Sequence, residues 1–220
     1  MRLSSLRPSY LVPRLRQIAF VRSYPRAPWL TQAAVLLLES WLQPDDFVVE
    51  WGSGRSTAWF AERTARVLSV EANPAWYARV AESLAARKLD ARVDQRLIPC
   101  QLGEFDEPIE HPYFGVASEL ADGSVDFALV DGNLRLRCIE SIMPKIRPGG
   151  LLGLDNANRF VPNRWGPGHS TVHEPRSAPV SPGWARVLEE LRGWRSILTS
   201  DGIWDTRFWV RPATERAVDA

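Results

Sequence analysis

The 220-residue sequence predicts an α/β fold in which helices cover both faces of a mostly parallel sheet. Apolar runs of strand length alternate with helical patterns between residues 46 and 155. These runs are almost continuously apolar, as strands buried on both faces require. Near the end of the chain, Asp201 and Gly202 separate two further runs by a turn so short that it can only join antiparallel neighbours. We therefore expect a doubly wound sheet closed by an antiparallel C-terminal hairpin.

The N-terminal residues 1–30 are expected to form a basic arm that carries a short helix over residues 9–22. The arm contains six arginines, and no acidic residue precedes Glu39. Pro13 favours a break in this helix. Thr31 predicts the N-cap of a second helix, over residues 32–42, which opens the main domain. That domain is expected to span residues 31–212, and residues 213–220 form a tail.

Residues that favour the start of a helix or a turn indicate where the strands and helices of the main domain begin. Ser56 opens a helix after the first strand, and Pro74, a residue suited to a first helical turn, opens the next one. The sequence Pro148-Gly149-Gly150 predicts a turn before the fifth strand. The predicted strands are 46–50, 66–71, 91–98, 126–131, 151–155, 195–199 and 204–210, and the later helices are 134–145 and 182–193.

A long irregular segment, residues 156–181, follows the fifth predicted strand. It leaves the carboxyl end of a parallel strand, where folds of this kind bind ligands. Irregular segments of this length are usually functional loops or disordered. We therefore expect a lid over a substrate pocket, with Trp165 as part of the pocket wall.

Composition narrows the class of protein. The formal net charge of +1 provides no overall attraction to nucleic acid, so no nucleic-acid partner is expected. No apolar run approaches the roughly 20 residues of a membrane span. The two cysteines, Cys100 and Cys138, make no disulfide framework and indicate a reduced, cytoplasmic protein. The basic arm is expected to be solvated, to touch an anionic partner or membrane surface, to act as a targeting segment, or to mediate contacts in an oligomer.

The most informative motif joins the first strand to the helix after it. The apolar run ends at Glu50, and Gly52 and Gly54 follow at a spacing of two. Glycine allows a sharp turn and a close approach of the backbone to a ligand. The second strand ends at Glu71, where an acid can accept hydrogen bonds from both hydroxyls of a ribose. The sequence thus predicts a nucleoside-binding crevice formed by Glu50, Trp51, Gly52, Ser53, Gly54, Ser56, Glu71, Ala72 and Asp131.

The same motif indicates the kind of nucleoside. Thr57 occupies the position of the third glycine in a dinucleotide fingerprint. The sequence therefore does not predict close packing against a pyrophosphate. A carboxylate at Glu50 suits a cationic ligand, such as a sulfonium or its ammonium group. The acid, the two spaced glycines and the acid at the end of the second strand resemble the first two motifs of class I S-adenosylmethionine-dependent methyltransferases. The resemblance covers roughly residues 30–212, and it implies a Rossmann-like seven-stranded sheet and S-adenosylmethionine as the cofactor.

Three side chains with oxygen atoms follow two strands that are neighbours in the doubly wound order. Asp131 ends the fourth predicted strand, and Asp155 and Asn156 end the fifth. Hard oxygen ligands suit Mg²⁺. The pattern resembles the metal site of the cation-dependent, catechol-type O-methyltransferases, and this resemblance implies Asp131, Asp155 and Asn156 as the ligands.

An arrangement without a metal is the alternative. Leu134 stands where the catechol type has a lysine base. Two nearby carboxylates can also be neutralised by a basic neighbour, for which Arg135 and Arg159 are candidates. Asp131 is then a proton acceptor or a structural acid at the strand end.

Two histidines in the predicted lid, His169 and His173, are further candidates for the general base, because imidazole titrates near neutral pH. Their spacing of four would place them on one face of a helix, where they could bind a metal, but Gly166, Pro167 and Gly168 disfavour a helix there. The alternative is that they are loop residues without a catalytic role. The candidate catalytic residues are Asp131, His169 and His173.

Together these features predict an S-adenosylmethionine-dependent methyltransferase that acts on a small molecule at a hydroxyl oxygen, with Mg²⁺ as a candidate second cofactor. The alternatives are a nicotinamide-dependent oxidoreductase, an aminopropyl transferase of the same fold, and a non-catalytic methyltransferase-like partner subunit. The absent third glycine disfavours the first, and the absence of a run of acids disfavours the second. The intact glycines and both acids of the crevice disfavour the third.

Overall fold

The computed structural model describes residues 8–101, 108–163 and 178–213, which form a seven-stranded sheet with helices on both faces. The strands are β1 (Phe47–Trp51), β2 (Arg66–Glu71), β3 (Val93–Leu97), β4 (Val125–Val130), β5 (Ile146–Leu154), β6 (Arg195–Ser200) and β7 (Asp205–Val210). The helices are α1 (Pro8–Ser23), α2 (Gln32–Trp41), α3 (Arg55–Ala61), α4 (Pro74–Ala86), α5 (Pro112–Gly115), α6 (Arg135–Ile142) and α7 (Pro182–Glu190).

The strand order in the sheet is β3-β2-β1-β4-β5-β7-β6. The first five strands along the chain pair in parallel, and β7 lies antiparallel to both β5 and β6. This confirms the predicted doubly wound, Rossmann-like sheet with an antiparallel C-terminal hairpin. Because β1 pairs with both β2 and β4, the connections diverge there and open a crevice above the carboxyl ends of these strands.

Alternate residues along the central strands supply two core layers. On β4, Phe127 and Leu129 face the layer shared with α2, α3 and α4, whereas Ala128 and Val130 face the layer shared with α6 and α7. All four side chains are buried. This explains the nearly continuous apolar runs in the sequence, since each side of a strand meets a covered face.

Three differences from the predicted elements have local causes. Helix α1 runs unbroken through Pro13, so the predicted break is wrong. Strand β5 begins at Ile146 rather than residue 151, because Ile146 already pairs with Val125 of β4. The register then shifts across Pro148-Gly149-Gly150, where Gly149 has a φ of +77°, and regular pairing resumes at Leu151. The predicted helix over 134–145 ends in a short 3₁₀ turn, Met143–Lys145, where Pro144 cannot continue the α-helical hydrogen bonds.

The predicted lid is described only at its two ends. Residues Ala157–Arg159 form a 3₁₀ turn directly after β5, and the Phe160 ring packs 5.1 Å from the Trp184 ring of α7, centroid to centroid. Residues 164–177, including Trp165, lie outside the described residues, so the lid stays a prediction. None of the helices that the structure describes combines the length and the apolar character needed to cross a bilayer.

Candidate functional site

A cavity of about 410 Å³ lies above the carboxyl ends of β1 and β4. Its floor is the glycine turn between β1 and α3. At Gly52 the backbone φ is +96°, and a Cβ atom there would lie 3.0 Å from Asp131 C and from Gly132 N. The turn after β1 and the turn after β4 therefore touch each other through their backbones, which requires glycine at position 52. The described residues lining this cavity include Gly52, Ser53, Gly54, Ser56, Glu71 and Asp131, all predicted for the crevice.

The Glu50 carboxylate lies beneath this turn, not in the cavity. It is fully buried and accepts hydrogen bonds from the hydroxyls of Ser56 (2.8 Å), Ser69 (2.8 Å) and Thr57. Burial raises the pKa of Glu50 to about 7, although the three hydroxyl donors lower it. The prediction that Glu50 attracts a cationic ligand directly needs correction, because the side chain instead anchors the start of α3 under the glycine turn.

Trp51 also supports the site from below. Its side chain is fully buried, and its indole Nε1 donates to the Tyr113 carbonyl oxygen at 2.7 Å. The predicted contact between Trp51 and the ligand is therefore not formed by its ring. Its backbone carbonyl oxygen accepts from Asp131 N at 2.9 Å, which helps to hold the two strand ends together.

The Glu71 carboxylate forms part of the wall between this cavity and a neighbouring one of about 420 Å³. Its Oε1 accepts from the backbone N–H groups of Ala72 (2.8 Å) and Asn73 (2.7 Å), which fixes the carboxylate at the end of β2. A ribose at Glu71 would place its base in one cavity and its 5′ substituent in the other. The second cavity is lined by Glu71, Ala72, Asn73, Pro74, Pro99, Cys100, Gln101, Tyr113, Gly132 and Asn133.

The rim of the first cavity contains aromatic residues that the sequence analysis did not assign to the site. Trp29 stacks on Trp76 with 5.9 Å between ring centroids, and the Arg55 guanidinium lies 5.0 Å from the Trp29 ring centre. The Trp76 indole also donates to the carbonyl oxygen of Ser53 in the glycine turn. A signal for Trp76 was present, since it lies in the first turn of the helix that follows Glu71, the acid predicted to contact a ribose.

The three oxygen-bearing residues after β4 and β5 do come together, but around a guanidinium. Nη2 of Arg135 lies 3.0 Å from Asp131 Oδ1 and 3.3 Å from Asn156 Oδ1. The same guanidinium donates to the backbone carbonyl oxygens of Asp131 and Asp155. Asp155 is buried, where it accepts from Thr206 Oγ1 at 2.6 Å and from Asn156 Nδ2 at 2.8 Å.

The two carboxyl groups of this cluster affect each other's protonation. Burial raises the pKa of Asp155, and the charge of Asp131 raises it further. Partial burial also raises the pKa of Asp131, while the charge of Arg135 opposes that shift. The two acids therefore titrate as a pair, and at least one proton is held more tightly than by an isolated aspartate.

The donor set fits a metal ion poorly as it is arranged. Asp131 Oδ1 and Asn156 Oδ1 both accept from the Arg135 guanidinium, so a divalent cation would have to displace a positive charge that is already bound. No group of three histidine, cysteine or acidic side chains is arranged for a metal within the described parts of the chain. His169 and His173 lie outside those parts, so their predicted catalytic roles stay predictions.

Comparisons with known proteins agree with the fold. Residues 49–157 match a family model described as a methyltransferase domain. A methyltransferase from Geobacter sulfurreducens has a similar structure, with a TM-score of 0.55 and 15% identity, over 95% of this chain and 93% of that one. A protein from Corynebacterium glutamicum gives a TM-score of 0.58 at 14% identity, covering 94% and 92% of the two chains.

A third similar structure, from Streptococcus mutans, was solved in complex with SAH, S-adenosylhomocysteine. Its TM-score is 0.55 at 10% identity, and the match covers 81% of this chain and 96% of that chain. The comparison with curated protein sequences finds no match.

The sheet order, the glycine turn and the acid at the end of β2 define the class I fold of the S-adenosylmethionine-dependent methyltransferases. The match over residues 49–157 is to a methyltransferase domain, and the described residues have the fold of that class.

Replacing Glu71 tests the predicted ribose contact. We expect Glu71→Ala to weaken S-adenosylhomocysteine binding by about 2–4 kcal/mol, because hydrogen bonds from the ribose to a carboxylate are lost. Glu71→Gln retains an oxygen for the Ala72 and Asn73 donors and should have a smaller effect. Calorimetric titration measures both, and Glu82→Ala on the exposed face of α4 is the control. Unchanged affinity in Glu71→Ala would place the ribose elsewhere.

Proposed function

We propose that this domain transfers the methyl group of S-adenosylmethionine to a hydroxyl oxygen of a small molecule. The observation that carries the proposal is the acid pair Asp131–Asp155 with Arg135 at the edge of the cofactor cavity. Methyl transfer to oxygen needs a base near the attacking hydroxyl, and a carboxylate with a raised pKa is a better base near neutral pH than an ordinary aspartate. Bound S-adenosylmethionine supplies the electrophilic methyl group.

Each residue of the cluster has a separate task in this proposal. The Asp131 side chain lines the cavity and is about one-third exposed (32%), so it can accept the proton of an acceptor hydroxyl. Asp155 is buried behind it, and its bond from Thr206 fixes its position. The Arg135 guanidinium holds Asp131 in place and limits the repulsion between the two acids. The remaining work is positioning, which an in-line displacement depends on.

The experiment that tests the proposal is a panel of small acceptors with S-adenosylmethionine, in which release of S-adenosylhomocysteine is measured. The panel pairs each hydroxyl compound with its amine, thiol and deoxy analogues. We expect turnover with hydroxyl compounds and none with their deoxy analogues. Transfer confined to amines, thiols, carbon atoms or nucleic acid would contradict the proposal.

Metal dependence separates two versions of this function. Arg135 already donates to the side-chain oxygens of Asp131 and Asn156, and this supports a reaction without Mg²⁺. We therefore expect turnover to be unchanged in EDTA and to gain less than two-fold from added Mg²⁺ or Mn²⁺. Loss of turnover in EDTA that Mg²⁺ restores would support instead the site predicted from Asp131, Asp155 and Asn156.

A location in the reducing cytoplasm is part of the proposal. Cys100 and Cys138, the two cysteines of the chain, are both buried and unpaired, which suits that compartment.

A further inference from the structure

A larger groove lies beside the cofactor cavity. It has a volume of about 950 Å³ and is bounded by α1, the start of α2 and the turn between β6 and β7. Its walls include the apolar side chains of Phe20, Val21, Leu30, Leu36 and Trp204. This α1 groove has the size and the mainly apolar lining typical of a small-molecule site.

The walls of the groove are joined by specific contacts. At Gly202, where φ is +87°, a Cβ atom would lie 3.0 Å from the Pro13 ring, so α1 packs closely onto the hairpin turn. The hydroxyls of Thr31 and Thr199 are 2.6 Å apart, which ties the N-cap of α2 to β6. The groove is thus a feature of the packed fold and not a gap beside a detached helix.

The groove meets the proposed reaction centre. Trp29 and Leu30 line both the groove and the cofactor cavity. Asn156 also lines the groove, and its side chain is hydrogen-bonded to Asp155 and Arg135. A molecule lying in the groove can therefore extend one end to the acid pair next to the methyl group.

The charges along the groove favour an anionic ligand. Arg14, Arg16 and Arg22 of α1 line it, and none of them forms an ion pair with a carboxylate of the described residues. Asp201 is the one acid among the described lining residues, and its Oδ1 accepts from the backbone N–H groups of Ile203 and Trp204 at 2.8 Å. The positive charges of the three arginines therefore outnumber the one negative charge, and guanidinium groups bind carboxylate, sulfate and phosphate well.

We infer that the α1 groove binds the methyl acceptor, and that this acceptor has an apolar body and an anionic group. The inference rests on the proposed function for its link to methyl transfer. The apolar walls take the body of the molecule, the arginines of α1 take its anionic group, and a hydroxyl at its other end reaches Asp131. Helix α1, part of the basic arm whose role the sequence left open, then forms part of the acceptor site.

Binding of three ten-carbon probes tests the inference directly. We expect decanoate to bind the full chain saturated with S-adenosylhomocysteine, decan-1-ol to bind more weakly, and decyltrimethylammonium to bind at least ten-fold more weakly than decanoate. Calorimetry below the micelle concentration measures all three. The fluorescence of Trp29 and Trp204 provides a second signal, because both side chains line the groove. Equal binding of the anion and the cation would overturn the inference.

Matched variants locate the site. Arg14→Gln combined with Arg16→Gln should weaken decanoate binding at least ten-fold and decan-1-ol binding less than three-fold. Leu36→Glu should weaken both. The controls are Arg186→Gln combined with Arg192→Gln on exposed positions outside the groove, and Ile109→Glu, where the side chain is 88% exposed. Decanoate affinity that survives the groove variants would place the ligand elsewhere.

Four further outcomes are distinguishable. Binding to anionic phospholipid vesicles without binding of monomeric decanoate would assign α1 to a membrane surface, and self-association that buries the groove would assign it to a second copy of the chain; either overturns the inference. Turnover of neutral hydroxyl acceptors without anion binding would overturn it while the proposed function stands. Decanoate binding that follows the variants as expected, with no hydroxyl turnover, would support the site and contradict the proposed function.

Discussion

Gly54→Val is expected to abolish S-adenosylhomocysteine binding while the domain stays folded. Gly54 lines the cofactor cavity in an extended backbone conformation that valine can adopt, and a Cβ atom there meets nothing nearer than Ser56 Oγ at 3.8 Å. The added side chain therefore projects into the space of the ligand without straining the turn. Calorimetry should detect no binding, and thermal unfolding should shift by less than about 2 °C, since a surface change costs under about 0.5 kcal/mol.

Gly193→Val is the matched control, because a Cβ atom at Gly193 meets no atom within 4 Å and the residue is not among those lining the cavity. It should bind S-adenosylhomocysteine as the unaltered chain does. If Gly54→Val also binds normally, the glycine turn does not form the cofactor site.

The second large effect is expected at Asp131. Asp131→Asn retains an oxygen for Arg135 but cannot take a proton, so kcat/KM should fall by about 10²- to 10⁴-fold with the hydroxyl acceptor found in the panel. Affinity for S-adenosylhomocysteine should stay within a few-fold. The exposed Asp122→Asn is the control. A loss smaller than three-fold would remove Asp131 as the base and leave His169 and His173 as candidates.

If Asp131 is the base, the direction in which kcat/KM changes with pH is also determined. A base must be deprotonated to act, and the pKa of Asp131 and that of Asp155 are both raised above the usual aspartate value. The kcat/KM of the unaltered chain should therefore rise with pH through the raised pKa of the pair and level off above it. In Asp131→Asn this rise should be lost. A flat profile in the unaltered chain would contradict proton transfer to this pair.

Those parts of the molecule that depend on local pattern were predictable from the sequence. The parallel strands, the antiparallel hairpin and the Thr31 cap follow from periodicity and turn chemistry, and the structure has each of them. Gly52 and Gly54 were predicted for the crevice, and both line the cavity. At Gly52 the positive φ and the nearby backbone of the β4 turn require glycine, whereas at Gly54 the absence of a side chain leaves space for a ligand.

The direction of a side chain at a strand end was not predictable in the same way. Glu50 and Glu71 both end strands, yet Glu71 lines the cavities and Glu50 points beneath the turn to three hydroxyls. Ser56 and Thr57 follow Glu50 closely in the chain, whereas the third donor, Ser69, lies opposite Glu50 on the neighbouring strand β2. Such a contact between strands has no signature in the sequence near either residue.

The positive charge beside the two aspartates was also not predictable from the sequence. The sequence offered either a metal or an arginine as the positive charge beside Asp131 and Asp155. Arg135 reaches the cluster because it begins α6 directly after the β4 turn, where Leu134 adopts a left-handed conformation (φ +46°). That local backbone geometry turns the arginine inward, and a helical pattern alone does not reveal it.

The position of β7 between β5 and β6 has a consequence for biosynthesis. The strand that completes the sheet, Asp205–Val210, leaves the ribosome after every other strand, and it carries the hydroxyl of Thr206 that holds Asp155. A nascent chain that has not yet released residue 206 has its glycine turn but lacks the support of its acid pair. The newly made protein would therefore be able to form its cofactor cavity before it could carry out methyl transfer.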